Sequence, residues 1–367
     1  MRSPSTGTVE DSSSALFPVG REGKLPSTSP VGGLRMDREP QHEPVMVAEV
    51  VELLAAVPAG VVLDATVGAG GHAAALLSAH PGIGVLGLDR DPQALEAAGR
   101  RLAPFGDRAV LKHARFGDLG TVVGEAWAAG RGHWPSSGEA SGAPESLSGA
   151  LFDLGVSSLQ LDAAERGFSY RVEAPLDMRM DPGEPTSALA VVNTAEPGEL
   201  AGWFRASGEG RLSGRIARAI VAARPLATTA QLAQVVADAV PAAARRRGHP
   251  AARVFQALRI AVNAEAEELA SGLPAALGLL GPGGRCAVLT YHSGEARLVK
   301  QVFAQAVTGG CLCPPGLPCV CGAVARFRPV FRGSRGPSGA EVSGNARASS
   351  ARLWAVERLG GRGVGDR

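Results

Sequence analysis

Short apolar runs recur along the chain, each closed by a turn signal or an aspartate and followed by helical spacing. Val61-Val62-Leu63 enters a glycine-rich turn, and residues 71–78 can begin a helix behind it. Residues 83–88 form a second apolar run ending at Asp89; Asp91-Pro92 then reads as a helix start, and residues 92–102 keep a helical spacing. Val110-Leu111 is a weaker third strand, and Ala150-Leu151-Phe152 is a fourth, ending at Asp153. Strands alternating with helices predict a parallel, doubly wound α/β sheet.

From residue 162 to 262 that rhythm stops. The patterned segments there are helical, over 199–206, 213–223, 229–240 and 251–262. Alternation returns with a helix over 264–280, the turn Gly281-Pro282-Gly283-Gly284, a strand over 285–291 and a helix over 295–307. Two late extended runs, 327–331 and 352–357, are expected to pair as an antiparallel edge. The simplest organisation is one α/β domain, 42–161 and 263–358, interrupted by a helical domain over 162–262. Residues 1–41, rich in Ser, Pro, Gly and Thr, read as a disordered leader, with Met36 a candidate start; residues 359–367 read as a tail. Residues 131–148 read as an exposed, flexible loop.

Length and composition narrow the classes. A chain of 367 residues suggests about two domains and needs no disulfide to build a core. With 45% hydrophobic and 20% charged residues it is not a disordered chain. No apolar run approaches roughly 18 residues, and the N-terminus lacks a basic start with an apolar core, so neither a membrane span nor a secretory signal is expected. Five cysteines, four of them bunched, do not make a secreted disulfide framework, and a cytoplasmic protein is the expectation.

The formal net charge of +2 hides an uneven distribution. Between Leu200 and Ile260 ten arginines stand against Glu209 and Asp238, a local +8 that leaves −6 on the rest. Such a segment suits a polyanion. Arg211, Arg215 and Arg218, spaced i, i+4, i+7, share one face of a helix, and Arg245-Arg246-Arg247 form a second basic cluster. On the residues alone, a solvated helix face is an equal reading.

The first candidate site is the run Leu63-Asp64-Ala65-Thr66-Val67-Gly68-Ala69-Gly70-Gly71-His72. Glycines after a strand let the backbone approach a ligand, and the next helix presents unpaired N–H groups. Asp89, 25 residues after Asp64, can accept the hydroxyls of a ribose. Gly68, Gly70 and Ala73 also satisfy G-x-G-x-x-A, so a nicotinamide enzyme stays open, as does a glycine turn with no ligand. The second is Asp153-Leu154-Gly155-Val156-Ser157-Ser158-Leu159-Gln160, a loop that faces the first across the strand ends. Asp153 can accept hydrogen bonds from an amine, although the stretch also reads as a capped turn. Cys311-Leu312-Cys313 and Cys319-Val320-Cys321 offer four thiols, the count of a tetrahedral zinc site. Their spacing is tighter than the usual C-x2-C ribbon, so zinc is the lesser expectation and no metal the greater. Cys286, inside an apolar strand, is expected simply to be buried.

Taken together, HEPV (from His42), DATVGAGGH, LDRDPQAL, LFDLGVSSLQLDAAERGFSY, PLDMRMDP, GRIARAIV, HPAARVFQALRIAVN and YHS (Tyr291 to Ser293) resemble the bacterial 16S ribosomal RNA (cytosine(1402)-N(4))-methyltransferase family. The resemblance spans roughly residues 42–307 and continues weakly into ARLWAVER. It implies a class I methyltransferase fold, Rossmann-like, with an inserted all-helical domain that contacts RNA. It also implies S-adenosylmethionine as methyl donor and a cytosine N4 amine of 16S rRNA in the small ribosomal subunit as acceptor. No obligate protein partner is inferred. The family's cofactor contacts fall on Gly70, Gly71, His72, Asp89, Phe116, Asp153 and Gln160. Asp153 and His292 are the candidates for positioning the base, with His292 equally a residue that orders its loop. In the LDMRMDP stretch, Asp177, Arg179 and Asp181 either pair among themselves or serve substrate.

The sequence departs from the family at Gly294 and Ala296, where a leucine and an acid are usual, and in its leader and the 131–148 insertion. The rival readings are a methyltransferase of another nucleic-acid amine and a non-catalytic RNA-binding assembly factor.

Overall fold

The computed structural model describes residues 44–128, 146–242, 249–314 and 320–360. The leader, most of the 131–148 loop, Arg245, Arg246, Arg247, Cys319 and all but the first two residues of the tail lie outside the described residues.

Val61, Val62 and Leu63 are fully buried because β1 (Gly60–Asp64) runs through the middle of a seven-stranded sheet. The sheet order is β3-β2-β1-β4-β5-β7-β6. β1, β2 (Ile83–Asp89), β3 (Ala109–His113), β4 (Leu147–Asp153) and β5 (Leu280–Thr290) are mutually parallel. β7 (Arg352–Arg358) lies antiparallel to β5 and to β6 (Phe327–Pro329), the expected antiparallel edge. The order reverses between β1 and β4, so the strand ends there open a crevice suited to a ligand.

The helices follow the alternation. α1 (Val47–Ala55) precedes β1; α2 (Gly71–Ala79), α3 (Pro92–Leu102) and α4 (Leu119–Ala128) follow β1, β2 and β3. α3 starts as its sequence dictates: Asp91 caps it by accepting from Gln93 N, with Pro92 in the first turn. After β4 come α5 (Ser158–Asp162), α6 (Ala188–Thr194), α7 (Pro197–Ala206), α8 (Ser213–Ala222), α9 (Thr229–Ala239), α10 (Ala251–Val262) and α11 (Glu265–Leu279). α12 (Ser293–Thr308) follows β5, and α13 (Gly339–Gly344) precedes β7. Among the described residues no helix is long and apolar enough to cross a membrane.

Residues 168–258 carry a hydrophobic cluster of their own, including Phe168, Met178, Phe204, Ile216, Leu232 and Leu258, separate from those that sandwich the sheet. Several stretches differ from expectation. β4 begins at Leu147, which pairs with Leu280, so the end of the expected loop is strand. β5 runs back through the glycine turn with a register shift opposite Leu147 and Gly149. The reason is space: a Cβ at Gly284 would lie 2.9 Å from Gly281 O and 3.1 Å from Leu147 O, so glycine lets these backbones pack edge to edge. Lastly, α1, α4, α5, α6 and α13, all of ten residues or fewer, were not expected, although Ser187 caps α6 by accepting from Ala190 N.

Candidate active site

The first loop is shaped by backbone geometry. Gly68 (φ 52) and Gly70 (φ 78) occupy left-handed conformations that side chains rarely tolerate, and Gly70 caps α2. Gly71 sits beside Pro44, whose Cγ would lie 2.2 Å from any Cβ added there. The loop is fastened to its neighbours by Val67 N donating to Leu88 O (2.8 Å) and Ala65 N to Leu151 O (2.9 Å).

Asp89, at the end of β2, accepts from Gly68 N through Oδ2 (2.9 Å) and from Asp91 N through Oδ1 (2.9 Å). Burial pushes its carboxyl up to about 6 against the pull of those two amides. Asp64, at the end of β1, is 1% exposed and accepts from Thr66 N (3.3 Å). Burial raises it to about 8, and the nearby Asp153 and Asp89 carboxylates push the same way.

Asp153, at the end of β4, is the most connected of the three. Its N–H donates to Thr66 Oγ1 (2.7 Å), its Oδ1 accepts from Tyr291 Oη (2.7 Å), and its Oδ2 lies 3.6 Å from His72 Nδ1. Burial raises the Asp153 carboxyl, while His72 and the Tyr291 hydroxyl oppose that rise. The Tyr291 phenol is raised in turn, by burial and then by the Asp153 charge. Three carboxylates thus close adjacent strands β2, β1 and β4, each held above the usual carboxylate range.

Of the expected cofactor residues, Gly70, Gly71, His72, Asp89 and Asp153 lie together at these strand ends. Gln160 is 4% exposed and bonded internally: Oε1 accepts from Ser157 N (3.1 Å) and Nε2 donates to Asp91 Oδ2 (2.9 Å). It thereby ties the loop after β4 to the loop after β2. Phe116, partly exposed, packs edge-on to Phe152 with centroids 5.6 Å apart. Gly272 on α11 permits this, because a Cβ there would lie 2.5 Å from Phe116 O.

His292 serves the backbone. It caps α12, with Nδ1 accepting from Gly294 N (3.2 Å) and Glu295 N (3.3 Å), and its Nε2 lies 3.0 Å from Glu295 Oε1. A Cβ at Gly294 would stand 3.0 Å from Nδ1, so glycine leaves room for the ring to fold back onto the helix start. Burial pushes the Glu295 carboxyl up, but His292, the Tyr291 N–H and Arg259 outweigh it and hold it below the ordinary value.

Sequence reasoning missed four supports. Thr66 and Tyr291 hold Asp153. Arg166, 7% exposed, lies 3.1 Å from Asp91 Oδ2 and donates to Gln93 Oε1 (3.0 Å), Arg179 O (3.0 Å) and Met180 O (2.9 Å). Asn263, 1% exposed, binds Met180 N (2.8 Å) and Met178 O (2.8 Å), and Arg90 donates to its carbonyl (2.6 Å). Both clamp the stretch that contains Asp177, Arg179 and Asp181. Within it Arg179 grips Asp177 through Nε (2.7 Å) and an NH2 nitrogen (2.9 Å), while Asp181 lies 3.2 Å from His113 Nε2.

The basic segment divides into two groups. Arg224 and Arg259 are spent inside the protein, on the Val192 and Ala195 carbonyls and on Glu265, while Arg253, itself exposed, pairs with Glu209 at 3.5 Å. Arg211, Arg215 and Arg218 are exposed and form no ion pair with a described residue. They do not all share one α-helix: Arg215 and Arg218 lie on α8, but Arg211 sits in the 3-10 turn Gly210–Leu212 before it. Cys311, Cys313 and Cys321 lie between α12 and β6, and Cys286 is buried in β5 with its thiol pushed up by burial.

The strand order, the antiparallel β7 and the glycine-and-carboxylate crevice define a class I methyltransferase fold. Residues 39–359 match the model of the MraW methylase family, and the chain belongs to that family. It is 48% identical over 324 residues to the Ribosomal RNA small subunit methyltransferase H of Heliobacterium modesticaldum, covering 87% of this chain and 98% of that one. A protein of the same name from Thermobifida fusca is 47% identical over 327 residues, covering 87% and 94%. Among solved structures, an rRNA methylase from Streptococcus thermophilus aligns with TM-score 0.37 and 14% identity over 85% of this chain and 95% of that one. A methyltransferase from Streptococcus mutans in complex with SAH aligns with TM-score 0.38 and 12% identity, covering 85% and 97%.

Proposed function

We propose that the protein transfers a methyl group from S-adenosylmethionine to the exocyclic N4 amine of cytosine 1402 in the decoding centre of 16S ribosomal RNA. Membership of the methylase family and the name carried by its relatives support small-subunit rRNA as the acceptor. The cytosine and its N4 atom rest on the sequence motifs.

The observation that carries the donor is the acidic crevice of Asp64, Asp89 and Asp153. Three carboxylates already raised above their usual range by burial gain from a cationic ligand, and a sulfonium is one. A nicotinamide dinucleotide would instead bring a pyrophosphate dianion to the same wall. The donor set fits in detail. Each Asp89 oxygen receives one backbone amide and keeps a lone pair for a ribose hydroxyl. Phe116 offers a partly exposed ring to a purine, and Gly68 and Gly70 leave the backbone bare.

The bound donor supplies a methyl group activated for direct displacement. Everything else falls to the chain, whose task is to place the amine in line at near-attack distance. The cytosine amine is a poor nucleophile because its lone pair is shared with the ring. Asp153 accepts one N–H of that amine, Tyr291 fixes the carboxylate by its other oxygen, and the proton released passes to Oδ2, beside His72 Nδ1. His292 orders the Tyr291 loop in this arrangement and does not touch the base. Residues 162–262 act as the RNA-contacting insert of a methyltransferase domain formed by 42–161 and 263–358. Arg211, Arg215, Arg218 and the Arg245, Arg246, Arg247 run hold phosphates while the target base is turned out of the RNA.

The test is radiolabelled methyl transfer from S-adenosylmethionine to small ribosomal subunits from a strain lacking this protein, with the product nucleoside identified by mass spectrometry. N4-methylated cytidine at a single decoding-centre position is the expected result. Label on another base overturns the acceptor assignment, and cofactor binding without any transfer points to a non-catalytic assembly role.

A further inference from the structure

We propose that Cys311, Cys313 and Cys321 form a thiolate site for a zinc ion that folds the loop between α12 and β6. The three sulfurs converge although they come from both arms of the loop, all lying within 4.8 Å of one another. Cys321 Sγ stands 3.5 Å from Cys311 Sγ. That is far beyond the roughly 2.05 Å of a disulfide. It is close to the edge of a tetrahedron of thiolates around zinc, about 3.8 Å for Zn–S bonds of about 2.3 Å.

Two further features point to a bound cation rather than to chance proximity. The backbone N–H groups of Val320 and Cys321 are directed at the Cys313 sulfur, an arrangement that suits a charged ligand atom there. Among its described residues the loop also buries little apolar surface. Leu312 and Val320, the residues between the paired cysteines, are 93% and 90% exposed, and Val324 is 68% exposed. A segment that buries so little apolar surface gains its structure from a cross-link. Gly309, in a left-handed conformation at the end of α12, lets the two arms meet, because a Cβ there would lie 2.4 Å from Val324 O. Each thiol that becomes a ligand gives up its proton to solvent, so affinity rises with pH. Nothing in the site touches the crevice residues described above, so its role is structural, and a failure here leaves the methyl-transfer reading untouched.

The experiment uses the full chain purified in the presence of a thiol reductant and without chelator. Plasma mass spectrometry is expected to find about one zinc per chain, falling to background in the Cys311→Ser/Cys313→Ser/Cys321→Ser variant. Cobalt added to chelator-stripped wild-type protein should give thiolate-to-metal charge-transfer bands and the intense visible bands of tetrahedral coordination. As a check that needs no variant, metal-loaded wild-type protein should resist alkylation at these three cysteines and lose that resistance with chelator. Zinc well below stoichiometric without cobalt bands in the reduced wild type overturns the site. So does equal zinc in the triple variant, or a disulfide between any two of these cysteines in protein kept reduced.

Discussion

His72 and Asp153 face one another at the strand ends, Nδ1 to Oδ2 at 3.6 Å, while His72 Nε2 is held 2.9 Å from the Val45 carbonyl. A carbonyl oxygen only accepts, so Nε2 carries a hydrogen. In the singly protonated ring Nδ1 then presents a lone pair to a carboxylate. The contact is favourable only when one proton is held between the pair, on the ring or on the acid. The arrangement keeps a proton position next to the place where the methylated amine must lose one.

Asp153→Asn follows from that geometry. The amide oxygen can still accept from Tyr291 Oη, and the amide nitrogen can donate to His72 Nδ1, so the network survives while the charge is lost. Because burial raises the Asp153 carboxyl, removing the charge relieves a desolvation cost. Thermal stability is expected to stay level or rise. The single-turnover rate of methyl transfer should fall by about 100-fold or more. An unchanged rate would show that the carboxylate takes no part.

Asp89 gives a pH dependence with a definite sign. Its carboxyl titrates near 6, and only the ionised form accepts from both hydroxyls of a ribose. S-adenosylmethionine affinity, followed by calorimetry, should show a step that weakens it as pH falls through that value, separate from the one Asp64 brings near 8. The weakening approaches about tenfold per unit. Asp89→Asn should bind about 10- to 100-fold more weakly at neutral pH and lose that step. A wild-type affinity that stays flat across the acidic range would contradict the ribose assignment.

How far these residues could be read in the sequence depends on how far apart the partners lie. Gly68, Gly70 and Asp89 were visible because strand, glycine turn and terminal aspartate are local signals. So was Asp153 at the end of an apolar run. Tyr291 and Thr66 were not assigned to the site, since they reach Asp153 across 138 and 87 positions, and no spacing announces that β4 lies between their elements. Asn263 clamps Met178 from 85 residues away for the same reason. Within 162–262 the helices α7 to α10 were legible from period alone, α10 with its expected bounds, whereas the short α6 was not. The local +8 was less informative, because Arg224 and Arg259 turn inward and Arg253 is engaged by Glu209, which composition cannot show.

Asp64 offers a second sign, on stability. Its carboxyl is near 8 in the folded protein against the 3.8 ordinary for an aspartate. Between those values the folded state binds more protons than the unfolded one, so this group's contribution to stability falls as pH rises through the window, then stays flat above it. Asp64→Asn lacks that slope. Relative to wild type, its melting temperature should climb from acidic to mildly alkaline pH, ending a few degrees higher, as shown by calorimetric scans in the absence of ligand. A difference that does not change with pH would place the proton elsewhere.

Arg166 is the support whose loss should be felt most in the fold. It is the cation beside Asp91, which is fully buried, and it satisfies two carbonyls of the clamped stretch. Arg166→Ala removes one partner of a buried pair and strands the other. A destabilisation of about 3–5 kcal/mol is expected. Urea unfolding followed by circular dichroism measures it, and a loss under about 1 kcal/mol, the scale of an exposed pair, would show that Asp91 is adequately served by Gln160 and Gln93.

The exposed arginines separate RNA binding from cofactor binding. On α8 the side chains of Ile216, Ala217 and Ile220 are buried in the helical cluster, which leaves Arg215 and Arg218 on the outer side. Arg211 precedes them in the 3-10 turn, exposed as they are. Each phosphate contact to single-stranded RNA releases about 0.7 of a counterion. Replacing Arg211, Arg215 and Arg218 together by alanine should therefore weaken binding of a decoding-centre RNA fragment. The slope of log affinity against log salt should flatten by about 2 units. S-adenosylmethionine affinity should not move, because none of the three approaches Asp64, Asp89 or Asp153 with an ion pair. Fluorescence anisotropy over a salt series reads the slope directly. A variant that loses RNA affinity with no change in slope would mean that these side chains act through the fold of α8, and an unchanged affinity would move the phosphate track to another face of the helical segment.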